Sequence, residues 1–133
     1  DGNADGLMDY KMFTFNGVCK YIWVDYYKTD AGKGLKQHLR NIYDENWIFQ
    51  PNKRHLFPHG KGDDVAKPKC LKEMISLASK LSVDFPLCRG DFYVLDNKKP
   101  IFGELTFSPA NGCNEFYPQS FCDELGGYIN LPK

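Results

Sequence analysis

Residues 88–107 read CRGDFYVLDNKKPIFGELTF, two runs of strand-forming residues on either side of the turn-rich DNKKP. Side chains alternate along a strand, so Asp91, Tyr93 and Leu95 fall on one side of the first run and Phe92 and Val94 on the other. In the second run Phe102, Glu104 and Thr106 share a side, while Ile101, Gly103, Leu105 and Phe107 take the opposite one. If the hairpin closes with an even loop, Asp91 faces Glu104 or Thr106; an odd loop inverts this relation.

Two carboxylates opposed across paired strands repel each other unless a cation lies between them or one is protonated. Asp and Glu oxygens suit Mg²⁺, which keeps several waters and shares its shell with phosphates. Arg89 lies two residues before Asp91 and is sent to the same face, where it can meet a phosphate or the charge developing on a carbonyl. The same pattern also fits a surface strand whose Arg and acids form salt bridges. A third reading, an adhesive Arg-Gly-Asp loop, needs a mobile tip, whereas here the tripeptide runs directly into FYVL.

Outward from the hairpin, KPKCLKEMISLASKLS repeats Leu71, Met74, Ile75, Ala78 and Leu81 or Ser82 at helical spacing, and Pro86 stops it. Near the start, KMFTFNGVCKYIWVDYY holds Asn16-Gly17 between two apolar runs, which predicts a type I′ hairpin with strands at about 9–15 and 18–26. Residues 28–69 carry nine Lys/Arg against five Asp/Glu. This basic stretch reads as loop with a short helix near Leu35–Tyr43, and a loop of this length points to function, anionic phosphate being one ligand it suits. A further short helix is expected near Gln119–Leu125. The layout is α+β, a mainly antiparallel sheet with packed helices.

The 133 residues suit one domain, 1–133, and seventeen Lys/Arg balance seventeen Asp/Glu, so no global field draws the chain to nucleic acid. No apolar run reaches the roughly 20 residues of a membrane span. Five cysteines without close pairs signal neither a disulfide framework nor a zinc ribbon, and reduced thiols in a cytoplasmic protein are expected. Pro58 argues against a zinc-binding helix through His55 and His59. The absence of an initial Met suggests a fragment or a processed product.

DYKMFTFNG, KCLKEMISLASKLSVDFPLCRGDFYVL, IFGELTFSPANG and CDELGGYINLP, in that order, resemble the C-terminal half of TupA-like ATP-grasp proteins of bacterial surface-polysaccharide clusters. The resemblance implies an ATP-grasp-like fold lacking its N-terminal subdomain. It implies Mg²⁺ and ATP as cofactors, with Asp91 and Glu104 as metal ligands and Arg89 as the catalytic cation. Thr106 stands where the wider class carries a metal-binding Asn, and Gly90 where this family prefers Val. SPANG resembles the turn that approaches the transferred phosphate, which makes Asn111 and Gly112 cofactor contacts. The implied reaction is an ADP-forming carboxylate-amine ligation through an acyl phosphate, on a small-molecule or glycan-linked carboxylate, the chain alone binding ATP weakly and turning nothing over. Lys33, Lys36, Arg40, Lys53 and Arg54 are the candidate phosphate anchors. The family's glycosyltransferase label and a catalytically silent binding module are the competing readings. Self-association through the exposed sheet edge is a further open expectation.

Overall fold

A computed structural model describes residues 5–29, 32, 34–95, 99–107 and 116–128. In chain order these form β1 (Asp5–Phe15), β2 (Val18–Thr29), β3 (Lys36–Asp44), β4 (Arg54–His55), α1 (Leu71–Ser82), β5 (Cys88–Leu95), β6 (Lys99–Thr106), β7 (Phe116–Tyr117) and α2 (Gln119–Gly127). The five long strands make one sheet in the order β3-β2-β1-β5-β6, antiparallel at every step. The fold is α+β, as the sequence pattern implies. Strands β4 and β7 pair separately as a two-residue ribbon.

The β1–β2 turn is the one its sequence demands, with Asn16 at φ 52° and Gly17 at φ 82°. Both faces of the sheet are buried at its centre. On one side Met12, Ile22, Val24, Tyr26, Tyr43 and Phe92 meet Leu71, Met74 and Ala78 of α1. On the other, Phe13, Phe15, Tyr21, Trp23 and Ile42 meet Phe121, Cys122 and Leu125 of α2. Of the two alternatives for the end of the α1 stripe, Ser82 turns inward and Leu81 is exposed.

The helix expected at 35–43 is instead strand β3. Leu35, Leu39, Ile42 and Tyr43 fall at helical spacing, but the true period is 2, with Leu39 and Tyr43 on the α1 side and Ile42 on the α2 side. The polar Asn41 interrupts the apolar row and conceals it. Asn41 is wholly buried because its amide donates to Lys61 O at 2.8 Å and accepts from Gly60 N at 2.9 Å.

Those two bonds belong to a larger attachment. The basic segment is not a solvated excursion; it folds back along the outer edge of β3, where Pro58 O accepts from Arg40 N and Ile42 O from Gln50 N. Asp64 fastens it to the sheet, accepting from Tyr26 Oη at 2.7 Å and from Lys28 Nζ at 2.6 Å. Burial alone would raise the Asp64 pKa, but these donors and the Lys61 amide outweigh it and hold the carboxyl below its ordinary value. A methyl group on Gly60 would overlap both Tyr26 Oη and Asp64 Oδ2. Gly60→Ala is therefore expected to cost about 1–3 kcal/mol, seen as a lower denaturation midpoint at unchanged m-value. A variant as stable as wild type would show that the Tyr26–Asp64 attachment yields freely.

Candidate functional site

Strand β5 begins at Cys88, so Arg89, Gly90 and Asp91 all lie within the sheet. Gly90 and Asp91 are buried, which removes the adhesive-loop reading. Across the β5–β6 pair Asp91 stands opposite Glu104 and Arg89 opposite Thr106. Directly opposed residues share a face, so all four side chains emerge together. Phe92, one position on, packs with the α1 cluster, which puts the polar group on the α2 side.

One residue later the register slips. Phe92 pairs with Phe102, leaving Gly103 as the extra residue of a β-bulge. Phe102 thus turns to the side of Phe92, with ring centroids 5.6 Å apart, and not to the side of Glu104 as alternation alone implied. A side chain at 103 would begin 3.2 Å from the Asp91 carbonyl oxygen, which accounts for glycine there.

The acid pair is asymmetric. Asp91 is 8 % exposed and is held by two cations: Arg89 Nε lies 2.9 Å from its Oδ1, and Lys11 Nζ lies 3.1 Å from its Oδ2. Lys11 comes from β1, directly opposite Asp91, and its ammonium also contacts Asp9 Oδ2 at 2.8 Å. Glu104 is exposed and has no ion-pair partner among the described residues. Thr106 Oγ1 accepts a long bond of 3.4 Å from Arg89 Nη2, so its observed contact is with the arginine. Asn111 and Gly112 lie outside the described residues.

The salt-bridge pattern and the opposed acid pair thus occur together. Two hard carboxylate donors on one face fit Mg²⁺. No group of three or more His, Cys, Asp or Glu side chains converges among the described residues, so an ion held here would take its remaining ligands from water and phosphate.

Farther across the same face lies a second charged group that the sequence pattern did not reveal. Arg40, paired opposite Asp25, donates to it from Nε at 2.5 Å and from Nη2 at 2.8 Å. Its guanidinium also lies 4.1 Å from the Trp23 ring and 4.9 Å from that of Phe57. Arg40 Nη1 is 2.8 Å from His55 Nδ1, and the His55 ring stacks on Trp23. The chain enters left-handed backbone at Leu56, φ 63°, which leaves Leu56 exposed while His55 is buried.

Of the candidate phosphate anchors, Arg40 is committed to Asp25. Lys53 is engaged by Glu124, Tyr21 and Gln50. Lys36 and Arg54 are exposed, and Lys33 lies outside the described residues. Among the described residues the cation nearest the acid pair, besides Arg89, is Lys11 of the DYK triplet. Its signal was an apolar strand interrupted by a charged residue at an inward position. His59 Nδ1 donates to Arg40 O, so His55 and His59 meet Arg40 through different atoms rather than sharing a metal.

Cys19, Cys70 and Cys88 are free and buried, and burial pushes the Cys19 thiol up to about 12. Cys122 is disulfide-bonded, which corrects the expectation of reduced thiols throughout. The spacing of the five cysteines carried no sign of it.

An α+β fold with a five-stranded antiparallel sheet and helices on both faces is consistent with part of an ATP-grasp-like fold. The chain matches the family described as TupA-like ATPgrasp over residues 1–130, and it belongs to that family. No curated protein and no solved structure matches it. Members of the wider ATP-grasp class generally bind ATP and Mg²⁺. No helix among the described residues is long and apolar enough to cross a membrane.

Proposed function

We propose that the chain serves an ATP-dependent ligase that joins a carboxylate to an amine. A carboxylate oxygen attacks the γ-phosphorus, the bond to ADP breaks, and an acyl phosphate forms. The amine nitrogen then attacks the carbonyl carbon, inorganic phosphate leaves, and the nitrogen gives up a proton to yield the amide.

When bound, Mg²⁺ neutralises phosphate charge and aligns the nucleotide. Asp91 and Glu104 would hold it. Arg89, braced by Asp91 and Thr106, supplies a cation for the oxyanion of acyl transfer. Lys11 offers a second cation to the phosphates, and the resemblance of SPANG to the family's phosphate-side turn assigns Asn111 and Gly112 to the transferred group. The acid is a small molecule or is linked to a glycan, within cytoplasmic synthesis of cell-surface polysaccharide. Family membership supports this reading. The observation that carries it is the direct opposition of Asp91 and Glu104 on one face, with Arg89 beside them.

Glu104 gives the clean test, because it is exposed and unpaired among described residues, whereas changing Asp91 would strand Lys11 and Arg89. Glu104→Gln should leave stability within about 0.5 kcal/mol. It should weaken binding of Mg²⁺ with a non-hydrolysable ATP analogue by about tenfold or more, the worth of one charge-assisted contact. Equal calorimetric titrations for the two proteins would make the acid pair structural, as in a silent binding module. Tighter binding of a sugar nucleotide than of the ATP analogue would favour a transferase.

A further inference from the structure

Both carboxylate oxygens of Asp91 already accept from cationic donors. Arg89 Nε bonds Oδ1 at 2.9 Å, while Arg89 Nη2 at 3.2 Å and Lys11 Nζ at 3.1 Å share Oδ2. A carboxylate offers about four acceptor positions, and three are taken here by cationic donors. Lys11 is 8 % exposed and is fixed from its other side by Asp9.

We propose that Lys11 is a built-in guard cation, so that a divalent metal binds at Asp91 only together with a polyphosphate; this rests on the nucleotide reading above. A metal arriving alone must approach an ammonium and a guanidinium at close range, and must break their ion pairs with nothing to replace them. A polyphosphate arriving alone would draw Lys11 and Arg89 away and leave Asp91 buried without a partner. Arriving together, the two exchange partners with the protein: phosphate oxygens take the cations, the metal takes the carboxylates, and every charge stays paired. Metal and polyphosphate therefore raise each other's affinity, by the same factor in both directions.

Asp9 acts here as a positioning residue. Its 2.8 Å contact keeps the Lys11 ammonium on this face when the bond to Asp91 opens. One Asp9 oxygen, Oδ1, is buried with no hydrogen-bond partner among the described residues, so toward them the carboxylate retains acceptor capacity for a shifted ammonium.

The test is the affinity of Mn²⁺ alone for the wild-type chain and for Lys11→Gln. The glutamine amide can still donate to both carboxylates, so the fold has a neutral replacement at that position. Removing the guard charge should tighten binding of the metal alone by about tenfold or more. No gain overturns the proposal. Should the variant fail to fold, the wild-type chain decides the matter through the Lys11 ammonium resonance. That signal should shift when Mg²⁺ and inorganic tripolyphosphate are added together and stay in place with Mg²⁺ alone; a shift with Mg²⁺ alone overturns the guard. Failure of the nucleotide reading has a different signature. In that case neither protein binds the ATP analogue with metal, while the gain in Lys11→Gln persists and shows the guard acting at a bare metal site.

Discussion

Arg40→Met lowers the stability of the chain by about 3–5 kcal/mol, the cost of leaving a buried charge without its partner. Asp25 has only 11 % of its side chain exposed, and its two strongest contacts both come from Arg40. With the guanidinium gone, the nearest cation-forming group is His38, 3.6 Å away. The same substitution takes the donor from His55 Nδ1 and the nearer of two cations from the Trp23 ring, leaving Arg89 at 6.0 Å. Methionine fills the volume of the arginine stem, so packing loss is a minor part of the effect. The double variant Arg40→Met/Asp25→Leu should recover all but about 1–2 kcal/mol, because neutralising both members of a buried pair is far cheaper than removing one. Denaturant titration of the two single variants and the double gives the coupling. A loss under about 1 kcal/mol for Arg40→Met would mean that solvent already reaches Asp25.

The result bears on function as well as on stability. An arginine whose loss costs the fold this much is a structural member and not a spare phosphate anchor, which leaves the anchoring role to cations such as Lys11 near the acid pair. The sequence invited the opposite reading, because Arg40 lies in the most basic stretch of the chain. Its partner Asp25 is 15 residues away, and the pairing exists only because residues 36–44 form a strand beside β2.

What was legible in the sequence was whatever a local rule controls. Asn16-Gly17 announced its hairpin because only those residue types adopt two positive φ angles cheaply. The α1 stripe announced a helix because one apolar face repeats without interruption. Alternation set Asp91 opposite Glu104 only for an even loop; the paired Leu95 and Lys99 enclose an odd one, and the bulge at Gly103 is what brings Glu104 back opposite Asp91. What stayed hidden depended on contacts between distant elements. Asn41 disguised β3, since a buried amide looks polar until Gly60 and Lys61 are seen to satisfy it. Gly103 disguised the bulge, which left Glu104 and Thr106 on their expected face and turned Phe102 to the other. The β4–β7 ribbon is only two residues per strand, too short for any periodicity. Lys11 was hidden for a related reason: a charge inside an apolar strand becomes intelligible only when the strands on either side supply its partners.

Between about pH 6.5 and pH 4 the chain should lose stability at about 1.4 kcal/mol per pH unit through His55 alone. Arginine has no acceptor, so the 2.8 Å contact from Arg40 Nη1 requires a lone pair on His55 Nδ1 and puts the ring proton on Nε2. Protonating Nδ1 would break that bond and set an imidazolium against a guanidinium. Burial first, and the Arg40 and Arg89 charges after it, push the His55 pKa down to about 4, with Asp25 opposing them in part. The folded pKa is thus below the unfolded value of 6.5. As pH falls from that value the unfolded chain takes up a proton that the folded chain refuses. The contribution is therefore complete above 6.5 and is lost on the way down to about 4. Asp64 and Glu124 act with the same sign, their carboxyls also being held below their ordinary values of 3.8 and 4.5. They contribute mainly at the acid end, so the upper part of the window isolates the histidine. His55→Gln keeps an acceptor for Arg40 and cannot titrate. Its stability should be nearly flat from pH 6.5 to pH 5, where the wild-type curve falls. If the two curves fall in parallel, another group is responsible, and the neutral His55 that completes the Arg40 cluster is not the protonation state in solution.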